Sequence, residues 1–281
     1  MQTLLNTPHE IIQQNILGAA AKARTRILNI LVLGMMAGSF IAMGAQSSSL
    51  AVHNISNIGL ARTLAGCIFP VGLMMIVFVG GELFTGDCMM SMAWMQRKIH
   101  FADMLRTLVL VYVSNFVGAA LIAFLVAHSG QYDYSSGALG AYTIKVAYGK
   151  VHSSFANALV SGILCNILVC VAVLMAAAAK DIAGKVLAIF FPILAFVVSG
   201  FEHCVANMYY IPAGIFASKN AAYAAKAFEL YNIDSTQLSS LNWGSFAISN
   251  LIPVTIGNII GGALLVGGAC FYLHGKALHE S

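Results

Sequence analysis

Charged residues are scarce in this 281-residue chain, at 9% of the sequence against 59% hydrophobic residues. Soluble domains carry about 25% charged residues, so a chain with so little charge and so much apolar surface cannot cover itself in water. The composition excludes an ordinary soluble domain and predicts a membrane protein. The length suits one membrane domain and leaves little room for a second, soluble one.

Several signatures of other protein classes are missing. The six cysteines include no CxxC pair, so we expect neither disulfides nor a metal site. His203 directly follows Glu202, which is not an HExxH helix. Ser39 lacks the GxSG setting of an intramembrane protease, so we expect no enzyme and no cofactor. Paired Asn-Pro-Ala loops are also absent, which disfavours a channel for neutral solutes such as water or glycerol.

Positive charge is sparse and unevenly distributed over the loops. The 14 Lys and Arg exceed the 10 Asp and Glu by only four, which is too few to predict a nucleic-acid partner. With the amino terminus inside, the loops on that side carry nine Lys and Arg, against five on the other side. Cytoplasmic loops are enriched in Lys and Arg, so the sequence predicts that both termini are cytoplasmic.

Six apolar runs are long enough to cross a bilayer, which needs about 20 residues as helix. They cover 27–44, 64–95, 105–127, 155–179, 185–216 and 246–272, and the second and fifth are interrupted. The sequence thus predicts an all-α membrane protein with six transmembrane helices in one domain, 1–281. Within it we expect an amphipathic cytoplasmic segment at 1–25, a membrane domain at 26–273 and a tail at 274–281.

The segment 8–23 precedes the first span and has the pattern of a short amphipathic helix. Its apolar residues recur at helical spacing: Ile11, Ile12, Ile16, Leu17 and Ala20. Two roles are open for it, an anchor in the membrane interface or a lid over a pore mouth. The early Glu10 and the lack of a compact apolar run with a small-residue cleavage site predict no cleaved signal peptide.

The two halves of the chain resemble each other. The segments 111–121 and 254–264, in the third and sixth spans, are identical at five of eleven positions, including Asn115 and Asn258. The second and fifth spans are interrupted at matching places, near Glu82 and Glu202. Because the third and sixth spans run in opposite directions, the sequence predicts a 3+3 inverted repeat with broken helices 2 and 5, which is typical of transport folds.

Glycines and carboxylates break the second and fifth spans. A charge at the bilayer centre costs about 2.5–3.5 kcal/mol, and non-helical backbone at this depth must be buried in protein or face water. Each break leaves helix ends with free N–H groups and a partial positive charge, which favour an anion. We expect Glu82 and Glu202 to support the loops by accepting hydrogen bonds from their amides, with direct contact to a solute as the alternative.

Two basic residues, one in the second break and one before the fourth span, are functional candidates. His203 lies in the break, four residues before Asn207, and is either a structural histidine or, as we favour, a donor facing a pore. A neutral imidazole offers one N–H to an anion, whereas a protonated one could hand its proton to a weak acid. Lys150, before the fourth span, is either a solvated loop lysine or part of an outer funnel that attracts anions.

Four strings occur in order along nearly the whole chain. They are Gly-Glu-Leu-Phe-Thr at 81–85, Lys-Val-His at 150–152, Ser-Gly-Phe-Glu-His at 199–203 followed by Asn207-Met208, and Asn-Leu-Ile-Pro-Val-Thr-Ile-Gly-Asn at 250–258. Together they resemble the formate/nitrite transporter family, most closely its formate-channel branch. The resemblance implies an aquaporin-like protomer in the lipid bilayer of a bacterial inner membrane, assembled as a homopentamer with one pore per protomer.

The resemblance also implies a transported solute and a set of pore residues. The solute would be a small monovalent anion, with formate first and nitrite, hydrosulfide or lactate as alternatives. The residues are Phe69 and Phe196 for the outer constriction, Leu73, Leu83 and Ala206 for the inner one, and His203, Thr85, Asn207, Lys150, Asn166 and Asn258 for the polar part. Asn166 and Asn258 match positions that either support the loops or line the pore.

The implied passage has three stages. An anion sheds water in the outer constriction, bonds to His203 and Thr85, and crosses the inner constriction either as the anion or, after taking a proton, as a neutral acid that avoids most of the desolvation cost. Gly86-Asp87 departs from the pattern, because the formate branch tends to have small hydroxyl residues there. This departure leaves the gating of that loop open.

Overall fold

The computed structural model describes residues 5–275. In that range it contains helices and turns and no named β-strand. In chain order the helices are α1 (Pro8–Lys22), α2 (Ile27–Val52), α3 (Ile58–Val79), α4 (Phe84–Asp87), α5 (Phe101–Ala127), α6 (Ala138–Val151), α7 (Phe155–Ala178), α8 (Ile182–Ser199), α9 (Cys204–Ser218), α10 (Ala221–Tyr231), α11 (Ser235–Ser240) and α12 (Trp243–Gly275). Short helical turns at 88–95 extend α4. Of the predicted tail at 274–281, residues 276–281 lie outside the described residues.

Six of these helices are long and apolar enough to cross a membrane, as predicted: α2, α3, α5, α7, α8 and α12. Large apolar side chains cover their outer faces. On α5 such residues recur every four positions and are 44–53% exposed: Val109, Val113, Val117, Leu121 and Leu125. A stripe of this length requires a lipid or protein neighbour, which agrees with a multi-pass membrane protein.

Glycines allow the spans to pack in two matching pairs. Gly38 of α2 meets the backbone of Asn115 in α5, and Gly257 of α12 meets the backbone of Leu159 in α7, so closely that a Cβ atom would clash in each case. Small residues at such crossings are common in membrane proteins. The pairs α2–α5 and α7–α12 are the equivalent parts of the predicted repeat, and the all-helical, aquaporin-like fold class is confirmed.

Two regions differ from the sequence-based expectation. The first span was expected to end at position 44, but α2 continues to Val52 through three serines. The buried Ser48 hydroxyl donates to the carbonyl of Ala45 at 2.8 Å, so this polar group has its hydrogen-bond partner within the helix. The second difference concerns Lys150, for which a loop was one alternative: it lies in the last turn of α6, with its side chain largely buried.

Candidate functional site

The two helix breaks have the same backbone construction. Gly80 ends α3 with φ at 99°, and Gly200 ends α8 with φ at 72°; glycine adopts such positive φ values without the strain of a Cβ atom. The chain then runs extended for three residues before α4 begins at Phe84 and α9 begins at Cys204. Positions in the two breaks therefore correspond at a constant separation of 120 residues.

An asparagine from α5 holds the first break. The side-chain oxygen of Asn115 accepts the N–H of Phe84 at 3.0 Å. Its amide nitrogen donates to the carbonyls of Glu82 at 2.9 Å and Gly34 at 2.8 Å. Asn115 is fully buried, and its bonds to the N–H of Phe84 and the carbonyl of Glu82 satisfy two backbone groups at the break that have no helical partner.

The equivalent asparagine from α12 holds the second break in the same way. The side-chain oxygen of Asn258 accepts the N–H of Cys204 at 2.9 Å. Its amide nitrogen donates to the carbonyls of Glu202 at 3.0 Å and Gly162 at 2.7 Å. The repeat seen in the sequence thus places one asparagine clamp on each break.

These clamps correct two sequence-based expectations. The loop amides bond to Asn115 and Asn258, and the carboxylates of Glu82 and Glu202, which were expected to accept them, bond to side chains instead. Asn166 is a third support, because its amide nitrogen donates to the carbonyls of Thr85 at 3.1 Å and Asn258 at 2.6 Å. For Asn166 and Asn258 the structure therefore favours loop support, because their side-chain amides bond to backbone groups of the breaks and the neighbouring helices.

Glu202 is the centre of what we call the Lys150 cluster, formed by Lys150, Glu202, Asn207 and Asn250. Lys150 Nζ lies 2.9 and 3.0 Å from the two carboxylate oxygens. The amide nitrogen of Asn207 donates to Glu202 Oε2 at 2.6 Å and to Asn250 Oδ1 at 2.7 Å. Lys150 also lies 5.3 Å from the ring centre of Tyr210, in cation–π range. Here one positive and one negative charge balance each other.

The corresponding arrangement at the first break is the Lys22 cluster, formed by Lys22, Glu82 and Asp87. Lys22 Nζ, at the end of α1, lies 2.5 Å from Glu82 Oε2 and 2.6 Å from Asp87 Oδ1. Burial alone would lower the pKa of Lys22, but Asp87 and Glu82 raise it well above its usual value. The lysine is therefore charged at every physiological pH and ties α1 to the break.

The tautomer of His203 follows from its hydrogen bonds. His203 precedes α9, and its Nδ1 accepts the N–H of Ala206 at 3.0 Å. A nitrogen that accepts carries no proton, so in the neutral ring the proton is on Nε2. That Nε2–H donates to Thr85 Oγ1 at 2.9 Å. The hydroxyl hydrogen of Thr85 is then directed away from His203 and can donate to a third group.

The first cavity, which we call the Lys150 cavity, has a volume of about 260 Å³. Lys150 and Asn207 line it on one side, and His203 lies in its wall. Phe69 and Phe196 also line it, with ring centres 5.4 Å apart and ring planes nearly perpendicular, at 87°. Ala206, which was expected at the inner constriction, also lines this cavity, because it lies on the first turn of α9 just after His203.

The second cavity, the Lys22 cavity, has a volume of about 500 Å³ and lies between α1 and the first break. Leu73 and Leu83 line it together with Lys22, Glu82 and Asp87. Thr85, which is fully buried, follows Leu83 by two residues and bonds to His203. His203 lines the Lys150 cavity, and Leu83 and Gly86 on either side of Thr85 line the Lys22 cavity, so the His203–Thr85 pair lies between the two cavities.

Helix α1 covers the Lys22 cavity. Its apolar residues Ile12, Ile16 and Ala19 are buried against Met89 and Met92 of the membrane domain. Since this face contacts protein, the geometry favours the lid over the lipid anchor among the two hypotheses for this segment. The sequence reasoning missed Lys22 as a site residue. It noted Asn115 only as an identical position of the internal repeat, and Asp87 only as a departure from the family pattern.

Two inverted halves, each with a helix broken near the centre of the membrane domain, define a membrane channel or transporter. This chain belongs to the formate/nitrite transporter family, whose sequence profile, described as "Formate/nitrite transporter", matches residues 9–272.

Relatives and a solved structure agree with this assignment. The chain is 38% identical to the uncharacterized transporter YrhG of Bacillus subtilis over 96% of this chain and 94% of that protein. It is 36% identical to the formate channel FocA of Haemophilus influenzae over 89% of this chain and 88% of that protein. A solved pentameric formate channel with formate bound superposes with a TM-score of 0.78 at 31% identity, covering 89% of this chain and 98% of that one. These similar proteins are channels and transporters, not enzymes.

Proposed function

We propose that this protein is a channel for small monovalent anions of weak acids, with formate as its main solute. The observation that carries the proposal is the His203–Thr85 pair, buried between the two cavities. Relatives that are formate channels, and a similar structure with formate bound, support the choice of formate. Nitrite, hydrosulfide and lactate are the competing solutes.

During passage the anion first loses its water, and protein groups then replace the lost hydrogen bonds. An anion enters the Lys150 cavity, where Lys150 offers an N–H donor in a cluster of balanced charge. Both amide hydrogens of Asn207 are already used within that cluster. Phe69 and Phe196 then strip its water, because an apolar slit offers no hydrogen bonds. The hydroxyl of Thr85, oriented by the Nε2–H of His203, donates to the anion at the centre. Leu73 and Leu83 form the second apolar slit, before the Lys22 cavity.

We propose that His203 stays neutral during passage. Placing a proton on Nδ1 requires breaking the bond with the N–H of Ala206 and burying a charge in the interior, and both changes are unfavourable. His203 then acts by orienting Thr85. The alternative, a histidine that relays a proton to the anion, requires α9 to lose its cap in each cycle.

Flux measurements in proteoliposomes test this proposal. Formate, nitrite, hydrosulfide and lactate are supplied at two pH values, with empty liposomes as the control. We expect formate to pass fastest. We also expect the flux of all four solutes to be higher at the pH at which more of the solute is neutral. Glycerol entry at the rate of formate, or no anion flux above that of empty liposomes, would refute the anion channel.

A His203→Ala variant separates the two roles of the histidine. If His203 only orients Thr85, flux falls at every pH by a similar factor. A relay predicts a change in the shape of the pH dependence instead, so that outcome would contradict the neutral role.

We further propose that the chain is a single channel domain that forms a homopentamer in a bacterial inner membrane, with both termini cytoplasmic. The exposed stripe on α5 and the pentameric state of the similar formate channel support the assembly. The bias of nine against five Lys and Arg supports the orientation. Native mass spectrometry tests the pentamer, and thiol labelling of a cysteine introduced at Ser235, next to the Lys150 side of the protein, tests the orientation in intact cells.

A further inference from the structure

The two clusters differ at one corresponding position. Asn207 in the Lys150 cluster has Asp87 as its counterpart 120 residues earlier in the Lys22 cluster. The amide nitrogen of Asn207 donates to Glu202 Oε2 at 2.6 Å. An ionised Asp87 has no proton to donate, so the corresponding bond to Glu82 cannot form while both carboxyl groups are charged.

The two carboxyl groups of the Lys22 cluster share one lysine. Their oxygens lie 2.5 and 2.6 Å from the same Lys22 Nζ, so these oxygens are at most 5.1 Å apart. One positive charge cannot balance two negative charges at this distance. Two carboxylates that share a buried site favour a state in which one of them is protonated.

One oxygen of Asp87 is available to carry this proton. Asp87 is 3% exposed and lines the Lys22 cavity, and its Oδ2 is buried without a hydrogen-bond partner among the described residues. A buried acceptor without a donor is unfavourable, whereas a protonated Oδ2 is itself a donor. The geometry of the other half shows what such a donor at this position bonds to: the glutamate five residues earlier.

Few other titratable groups face this pair. Among the residues that line the Lys22 cavity, those that titrate are Lys22 from α1 and the two carboxyl groups themselves. The nearby thiols are those of Cys88, which follows Asp87 in the chain, and Cys170 on α7, whose Sγ lies 3.4 Å from the carbonyl oxygen of Thr85. A neutral thiol adds no charge to the cluster, so the charge balance is decided by the lysine and the two carboxyl groups.

We propose that Glu82 and Asp87 form a proton-binding pair that holds one proton between them at neutral pH. With Lys22 charged and one carboxyl group protonated, the Lys22 cluster is neutral, like the Lys150 cluster. The protonated Asp87 donates to Glu82, as Asn207 does to Glu202. The site binds a proton and is placed at the mouth of the cavity that follows the inner constriction.

The pair has a role in transport that rests on the proposed function. An anion in the Lys22 cavity accepts the proton: the O–H bond of the carboxyl group breaks, and an O–H bond forms on the anion, which crosses the inner constriction as a neutral acid. The pair then takes a proton from water in the cavity. For a solute that enters from the Lys22 cavity, the pair thus supplies the proton that a neutral His203 does not provide. A solute that reaches this cavity as a neutral acid gives its proton to the pair when the pair has released its own.

Infrared difference spectroscopy of the purified full-length protein in lipid nanodiscs tests the pair. We expect a protonated-carboxyl band at neutral pH that shifts in deuterium oxide, disappears at high pH, and is missing in Asp87→Asn and in Glu82→Gln. The matched control Glu202→Gln keeps the band, because Glu202 is ionised beside Lys150. The converse variant Asn207→Asp, which places two carboxyl groups beside Lys150, gains a second band.

The wild-type spectrum alone can overturn the proposal: no protonated-carboxyl band at neutral pH, or a band that Asp87→Asn leaves unchanged, means that the pair is fully ionised. This readout does not depend on transport. A protein with the band but without anion flux above empty liposomes refutes the proposed function and leaves the proton-binding pair. A protein with flux whose pH dependence is the same in Asp87→Asn refutes the role of the pair in transport.

Discussion

The Lys150 cluster and the Lys22 cluster lie beside helix breaks of the same backbone construction, but they differ in charge. Each lies beside a glycine-ended helix and an asparagine clamp. The Lys150 cluster takes its lysine from α6 within the membrane domain, and its one carboxylate has four side-chain hydrogen bonds. The Lys22 cluster takes its lysine from α1, which lies outside the repeated halves, and holds two carboxyl groups.

This difference shows which parts of the repeat are fixed by folding and which are free to vary. The glycines and asparagines satisfy backbone groups at the breaks, so both halves need them. The side chains that face the cavities are not bound by that requirement. In one half these side chains form the Lys150 cluster, in which the charges balance. In the other half the carboxyl groups depend on Lys22 of α1, the helix that covers the cavity.

The largest effect is expected at the clamps. Asn115→Ala and Asn258→Ala each leave one N–H and one carbonyl of a break without this partner, and each such group costs about 1–3 kcal/mol. We expect both variants to lose several kcal/mol of stability and to unfold at similar, strongly lowered temperatures in detergent. Asn157→Ala, at an exposed site on α7, is the control. A large difference between the two clamp variants would break the equivalence of the halves.

The lysines are expected to differ in their contribution. Lys150→Met leaves Glu202 as a buried charge without its cation, a change that costs about 3–5 kcal/mol in buried pairs. Lys22→Met removes a partly exposed lysine whose two carboxyl groups can take up protons from the cavity, so we expect a clearly smaller loss. Thermal unfolding of both variants measures the difference. Equal losses would mean that the two clusters are alike in energy.

Removing an aromatic ring from the outer constriction is expected to widen the range of solutes. In Phe69→Ala the slit loses the ring that packs at 87° against Phe196. We expect lactate flux to rise several-fold relative to formate flux in proteoliposomes, because the larger anion is excluded by width. Leu73→Ala provides the same test for the other constriction. An unchanged ratio of lactate to formate flux in both variants would show that neither constriction determines the selectivity.

The smallest effect concerns the docking of α1. The pKa of Lys22 is raised in the folded protein, so the stabilisation from its charge is fully present below its unfolded pKa of about 10.4. It is lost only as the pH rises through the still higher folded pKa. We expect hydrogen exchange of α1, corrected for intrinsic rates, to be unchanged between pH 7 and 9. Faster exchange at pH 9 would show that Lys22 loses its proton early.

Much of the fold could be predicted from the sequence, because membrane spans depend on composition and length. The six runs, the two breaks and the repeat around Asn115 and Asn258 are visible as patterns of apolar residues and glycines. Helices such as α6 and α10 are less visible, since they lie at the ends of spans, where polar and apolar residues mix.

The site was less predictable, because its contacts join residues distant in sequence. Lys22 is 65 residues from Asp87, and nothing in the spacing of either residue indicates that they meet. The roles of Glu82 and Glu202 were assigned wrongly for the same reason: a carboxylate in a break can accept from the loop or from a side chain, and only the position of the asparagine clamps decides. The pore roles given to Phe69, Phe196 and Leu83 remain proposals.

The central claim is that an anion passes the Thr85 hydroxyl that His203 orients. Formate flux through a Thr85→Val variant tests it most directly, with Thr107→Val as the matched control, since Thr107 is buried and bonds only within its own helix. A hydrogen bond to a charged group contributes about 1.5–3 kcal/mol, so we predict that Thr85→Val lowers formate flux at least about tenfold while Thr107→Val leaves it unchanged. Equal formate flux in the two variants would contradict the claim.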